Sequence, residues 1–417
     1  MPAIPETQVR REVLPVSSSI DAVTGWIFFA LLCALSSFIF DTSGISFRII
    51  SALLLGLSAW YALFAKRQQW FWSFAFACPL LMSLYGIGQT IWSNQKIVFN
   101  GLDKSLYWFI AAMIGFLATQ LFQARTLARH FRFAIVLFAS FQALLSVLEQ
   151  AAHTGKYFGL IPSGYASVYG TFNYYNSFSQ FIELALPLTL WEGIGHRKVN
   201  FPFVLLAALQ IGAVVSSSSR AGAILVYCEL FAVLILAWIR NRESVSAAVI
   251  ALVLFLSLGF TCVAGFHNVV EKLSAPDQLG SRSLINQSSL HMIEARPLTG
   301  WGLGAYVPVY KMFALYDDGT WVNQAHNDYL EWAAEGGIPY ACLMLALIVW
   351  TLRPAVRSIW GIGVIALYIH ALVDYPFAHL SVCGWYFALA GMLAAAAYTG
   401  RKSSNSFSAR ATAWSML

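Results

Sequence analysis

A chain of 417 residues that is 59% hydrophobic and only 11% charged falls outside the aqueous globular class, where roughly a quarter of residues carry charge. So much apolar surface calls for the bilayer as solvent, and the net charge of +6 is expected to flank spans and set their orientation. No basic stripe with interleaved aromatics occurs, so nucleic acid is not an expected partner.

A spanning helix needs about 20 mostly apolar residues. In chain order, the expected spans are 24–41, 48–65, 70–92, 106–123, 132–152, 177–194, 201–217, 221–239, 245–266, 337–352, 358–375 and 380–399. The first follows Arg10 and Arg11 without a small-residue cleavage site and is expected to be retained as a helix. With the N-terminus inside, inner segments hold 16 Lys/Arg and short outer loops hold 5 (Arg48, Lys96, Lys104, Lys156 and Arg220). Both termini are therefore expected on the cytoplasmic side. The expected organisation is a tail over 1–23, nine helices over 24–266, a loop over 267–336, three helices over 337–399 and a Ser-rich disordered tail over 400–417. The fold class is all-α integral membrane protein, with about twelve transmembrane helices and short helices within the large loop between the ninth and tenth. Six cysteines lie in or beside apolar runs without CxxC spacing and read as core residues.

Several polar residues stand out against this background. Glu183 falls in the sixth span, and intramembrane ionisable groups are functional candidates. Arg220 caps the tight outer turn Ser218-Ser219-Arg220 between spans seven and eight, and Arg282 opens an amphipathic stretch of the long loop. Guanidinium forks suit phosphate oxygens. Read singly, each is equally a headgroup-snorkelling side chain or half of a loop ion pair. The run Gly300-Trp301-Gly302-Leu303-Gly304 follows no βαβ strand and reads as a tight turn or close backbone approach.

Farther along, Gln324 to Gly337 reads as a short helix with Asn327 or Asp328 as N-cap and Gly336 at the left-handed C-terminal position. His326 then sits at the helix entrance, either as a base near neutral pH or as a structural loop histidine. Asp328, Glu331 and Glu335 share one helical face, read as solvated. His370 and Asp374, four apart on the eleventh span, either line a cavity or pair across one turn. No HExxH or other ligand spacing is present, so neither a metal nor a cofactor is expected.

Four pieces in order carry a resemblance to the O-antigen ligase/O-antigen polymerase superfamily. They are Gly170-Thr171-Phe172-Asn173-Tyr174-Tyr175-Asn176-Ser177-Phe178 with Glu183 to Leu188, then Ser219-Arg220-Ala221-Gly222, then Arg282 with Arg296 to Gly304, and finally His326 to Glu331 with Glu335-Gly336. They cover about 165 to 376; the first five spans match in topology alone. The resemblance implies a metal-independent, inverting glycosyltransferase in the bacterial inner membrane, its active site facing the periplasm. It would move a glycan from undecaprenyl diphosphate to an acceptor hydroxyl of lipid A–core type, or of another glycan or protein, among membrane lipids. Carried over, Arg220 and Arg282 hold the donor diphosphate and His326 is the base or positions the acceptor. Glu183, Asn327, Asp328, Glu331, His370 and Asp374 remain candidate cavity or orienting residues. A polymerase of the same superfamily is the nearest alternative. A flippase or secondary transporter is the alternative from another class, opposed by the absence of paired half-repeats with broken helices.

Overall fold

The computed structural model of the chain describes residues 19–38, 44–65, 70–92, 98–163, 167–195, 199–240, 246–264, 280–315 and 322–414. The basic residues Arg10, Arg11, Lys66, Arg67, Lys96, Arg197, Lys198 and Arg242 lie outside these residues, as do most of the first tail and parts of the long loop. Fourteen helices are described. They are α1 (Ser19–Phe38), α2 (Ile45–Phe64), α3 (Phe74–Trp92), α4 (Val98–Leu121), α5 (Arg125–Ala152), α6 (Tyr175–Ile194), α7 (Phe201–Ser216), α8 (Arg220–Arg240), α9 (Ala247–Ala264), α10 (Gly280–Ala295), α11 (Tyr306–Phe313), α12 (Asp328–Ser358), α13 (Ile362–His370) and α14 (Leu380–Trp414). A two-residue hairpin, β1 (Lys156–Tyr157) with β2 (Ile161–Pro162), decorates the segment before α6.

The protein is an all-α integral membrane protein. Among the described residues, eight helices are long and apolar enough to cross a membrane, with shorter apolar helices at Phe201–Ser216 and Ala247–Cys262. Their outer faces carry Ile45 at 77%, Leu63 at 78% and Phe255 at 73% exposure, a surface that suits acyl chains. The same logic corrects the cysteine expectation. Cys228, Cys262 and Cys342 are exposed and only Cys78 and Cys383 are buried, because lipid accepts a small apolar side chain as readily as a core does.

The polar groups of α6 and α7 are turned to the inside of the bundle. Helix α6 is buried on every side from Asn176 to Leu190, so Glu183 and Gln180 face protein instead of lipid. Gln210 donates to Ser140 at 2.9 Å and accepts from Thr189 at 3.0 Å, tying α7 to α5 and α6. The turn entering α6 is fixed by Gln142, whose amide nitrogen donates to Thr171 Oγ1 and whose Oε1 accepts the Thr171 N–H, both at 2.9 Å.

Two expected spans take a different form. The tenth begins nine residues earlier than expected and merges with the short loop helix into α12, which is kinked at Gly337 (φ 75°) rather than ended at Gly336. Such a kink frees backbone groups that the membrane would leave unpaired. The glycine-rich run satisfies them: Trp301 N–H donates to Ala334 O (2.9 Å), Gly302 N–H to Glu335 O (2.8 Å) and Ile338 N–H to Pro297 O (2.8 Å). From α3, Tyr85 donates to Gly336 O (2.7 Å) and Gln89 to both Thr299 O (2.6 Å) and Glu335 O (3.2 Å). The approach leaves no room for side chains, since a Cβ on Gly300 would lie 2.2 Å from Glu335 O and one on Gly337 2.5 Å from Leu298 O. Gly337→Ala is therefore expected to destabilise the protein by about 1–3 kcal/mol. The check is its melting temperature in detergent against Gly56→Ala, a position with nothing within 4 Å.

The eleventh span is only the nine-residue α13, broken before Ile362 and after His370. Gly363 lets it press on α6, where a Cβ would lie 2.2 Å from Glu183 O. At the chain end, α14 continues to Trp414 where a disordered tail was expected; extending a formed helix fixes one residue per added hydrogen bond, without a new nucleus.

Candidate functional site

The turn between α7 and α8 is built by serines. Ser218 takes φ 64°, and Ser219 Oγ accepts the Gly222 N–H at 3.2 Å while donating to Asn176 Oδ1 at 2.7 Å. This joins the starts of α6 and α8 and projects Arg220 into a cavity of about 200 Å³ lined by Tyr175, Asn176, Ser218, Arg220, Ala221, Arg282, His370 and Val373. The two arginines, 62 positions apart in sequence, thus face one space. Arg282 donates from Nη1 to Val373 O at 2.8 Å and forms no ion pair among the described residues. Arg220 has no partner among them. Among the described residues neither is spent on a carboxylate, which leaves two cationic forks facing the cavity.

His326 is not among the residues lining this cavity; it is joined to it through the turn after α13. Its Nδ1 meets Asp374 Oδ1 at 3.2 Å, its ring packs edge-on against Tyr375 at 5.0 Å, and Asp374 immediately follows the lining residue Val373. The other Asp374 contacts come from Gln180 (3.1 Å to Oδ2) and the Tyr174 hydroxyl (3.4 Å to Oδ1). Burial alone would raise the Asp374 carboxyl. The His326 hydrogen bond and the charges of His370, His326 and Arg282 outweigh it and hold the carboxyl below its ordinary value. Asp374 is therefore the ionised partner, and a carboxylate that only accepts fixes Nδ1 of His326 as the donor. Nε2 is left to act on a ligand. Burial, followed by the Asp374 charge, raises the Tyr174 phenol, so it remains a donor.

The acidic face of α12 is not solvated, which corrects the sequence reading. Asp328, Glu331 and Glu335 are all buried, and each accepts a backbone N–H from outside the helix: Phe377 at 2.9 Å, Ala325 at 2.9 Å and Tyr306 at 3.0 Å respectively. Asn327 is the N-cap, accepting Leu330 N–H at 3.2 Å. Asp328 thus grips the segment that carries Asp374, and Glu331 grips the residue before His326. These clamps hold His326 in a left-handed backbone conformation, φ 51°, which costs a non-glycine residue about 1–3 kcal/mol and persists where its surroundings over-determine it.

His370 and Asp374 do not pair with each other. His370 lies fully buried at the end of α13, with Nδ1 2.8 Å from Oε1 and 3.1 Å from Oε2 of Glu183. Its Nε2 is buried without a hydrogen-bond partner, and the residue lines the arginine cavity. Among the described residues no group of three or more His, Cys, Asp or Glu is placed to hold a metal ion. Sequence reasoning missed the roles of Asn176, Tyr174 and Gln180. The polar, aromatic density of Asn173 to Gln180 at the start of an apolar helix was the available signal.

The O-antigen ligase family model matches residues 205–345, from α7 into the kinked α12, a stretch that contains Arg220, Arg282 and His326. Over that stretch the chain is similar to the O-antigen ligase family. The similarity points to a glycosyltransferase-like ligase or polymerase that works on lipid-linked glycans in a membrane. The match leaves Glu183, His370 and Asp374 outside its bounds, although His370 lines the arginine cavity and Glu183 and Asp374 pair with His370 and His326. No curated protein gives a significant match to the chain.

Proposed function

We propose that the protein transfers a glycan from undecaprenyl diphosphate to an acceptor hydroxyl of lipid A–core type, at the periplasmic face of the bacterial inner membrane. The observation that carries this reading is the pair of guanidiniums, Arg220 and Arg282, that line one cavity without an ion pair among the described residues, with a carboxylate-oriented imidazole on the adjoining turn. A diphosphate leaving group gathers negative charge as its bond to the sugar breaks, and preorganised cations stabilise that charge. His326 Nε2 takes the proton of the attacking hydroxyl, and direct displacement inverts the anomeric centre. Asp328, Glu331 and Asn327 position the base.

Orientation follows from the basic residues of the far end. Arg240, at the end of α8 remote from Arg220, donates to the carbonyls of Arg357 (2.8 Å) and Val356 (3.1 Å). Arg132 lies 5.3 Å over the Trp360 ring. These belong to the inner set of the charge bias, which supports a reading with the Arg220 end outside and both termini in the cytoplasm.

The test is a reconstituted assay with purified protein and undecaprenyl-diphosphate-linked oligosaccharide, with and without lipid A–core. Glycan on the acceptor is the expected result. Lengthening on the carrier without acceptor would make the protein a polymerase, and a donor left unchanged in both assays would overturn the reading. EDTA is expected to leave the transfer rate unchanged; inhibition reversed by a divalent cation would replace the metal-independent scheme.

A further inference from the structure

Helix α13 ends in a buried imidazole whose Nε2 has no hydrogen-bond partner among the described residues. His370 is fully buried, Glu183 engages its Nδ1 through both carboxylate oxygens, and its Nε2 is unpartnered. The residue lines the same cavity as Arg220 and Arg282. A buried polar atom left without a hydrogen bond is costly, so the site is built to receive a ligand atom there. The ligand has to suit its neighbours. Two guanidiniums on the cavity select an anion, and an anion selects the protonated imidazole, with Nδ1–H given to Glu183 and Nε2–H left for the ligand. Two acidic groups then balance two imidazoles, Glu183 with His370 and Asp374 with His326.

We infer that His370 is a second catalytic imidazole, which gives its Nε2 proton to the departing diphosphate, and that Glu183 is its positioning residue. This rests on the proposed transfer reaction. In the step, the acceptor oxygen bonds to the anomeric carbon while the bond from that carbon to the diphosphate oxygen breaks. The electron pair of the broken bond goes to the diphosphate. His326 Nε2 gains the hydroxyl proton, and the departing oxygen receives one from His370 Nε2. The enzyme's proton count is unchanged, and exchange with solvent resets the two imidazoles after product leaves. A group acting on the leaving oxygen and another on the nucleophile divide the acid and base work of one displacement.

Two measurements test this on the full-length protein in detergent. The first is inorganic pyrophosphate binding by calorimetry, which needs no transfer. His370→Gln is expected to weaken it about 10-fold or more, the loss typical of a charge-assisted hydrogen bond, and Glu183→Gln to weaken it less. His291→Gln, at an exposed position on α10, is the control expected to match wild type. The second is glycan transfer. His370→Gln is expected to lower kcat ~100-fold with a smaller change in KM, and imidazole is expected to restore part of the activity lost in His370→Ala.

Wild-type binding and kcat in His370→Gln would overturn the inference and leave the transfer reading standing. A wild-type protein that binds pyrophosphate but transfers nothing would sink the transfer reading and, with it, the proton donation; weaker binding in His370→Gln would then keep only the contact between Nε2 and the anion. A wild type that binds no pyrophosphate, or a His370→Ala protein that folds and is not rescued, would overturn the assignment of His370. If His370→Gln does not fold, Glu183→Gln and the imidazole rescue decide the matter.

Discussion

Replacing His326 by asparagine is expected to lower kcat for glycan transfer by about 10²–10⁴-fold, the usual contribution of a positioned general base. Asparagine is the informative substitution because residue 326 sits at φ 51°, a region it tolerates far better than alanine. His326→Ala would remove the base and strain the backbone together, whereas His326→Asn removes the base alone. KM for the donor is expected to change little, since the diphosphate lies with the arginines. Asp374→Asn should fall between wild type and His326→Asn, because an amide can still meet the ring but carries no charge. The pH dependence follows from the lowered Asp374 carboxyl. The carboxylate that orients the base is fully present above the ordinary aspartate range and is lost only as pH falls through its depressed value. Support from this carboxylate is thus constant across neutral pH. Steady-state kinetics of the three proteins on one donor check the order, and a His326→Asn protein with wild-type kcat would remove His326 from the chemistry.

What the sequence revealed and what it hid divide along a physical line. Hydropathy reports where a helix meets lipid, a local property, and each expected span overlaps a helix, although the tenth is merged into a longer kinked one and the eleventh is cut to nine residues. Side-chain pairing across the bundle is not local. Glu183 and His370 are 187 positions apart, and His326 and Asp374 are 48 apart, so no window or spacing rule connects them. The i, i+4 spacing of His370 and Asp374 suggested a pair on one helix, but α13 stops at His370 and turns each residue toward a different partner. The acidic stripe of α12 looked solvated because its pattern is that of an amphipathic helix. It is buried and accepts two loop N–H groups and the first N–H of α11, a demand visible only once the loops fold back. Gly336 and Gly337 were indistinguishable in sequence; the contact with Leu298 O decides which one adopts positive φ.

The two arginines are expected to fail differently when removed. Arg220 has no partner among the described residues, so Arg220→Ala should leave the melting temperature unchanged while lowering donor kcat/KM by about 10–100-fold, the loss of a charge-assisted contact. Arg220→Lys should recover part of that loss, because a point charge replaces a planar fork. Arg282 also holds Val373 O at 2.8 Å, and Val373 adjoins the carboxylate that orients His326. Arg282→Ala therefore removes a phosphate ligand and loosens the turn carrying Asp374, so its kcat should fall further than that of Arg220→Ala, with a lower melting temperature. If both guanidiniums hold one diphosphate, the double variant should lose less than the product of the two single losses, since neighbours sharing a ligand are not additive. Strict additivity in donor kcat/KM would mean that the arginines serve separate anions, and the cavity would no longer account for the reaction.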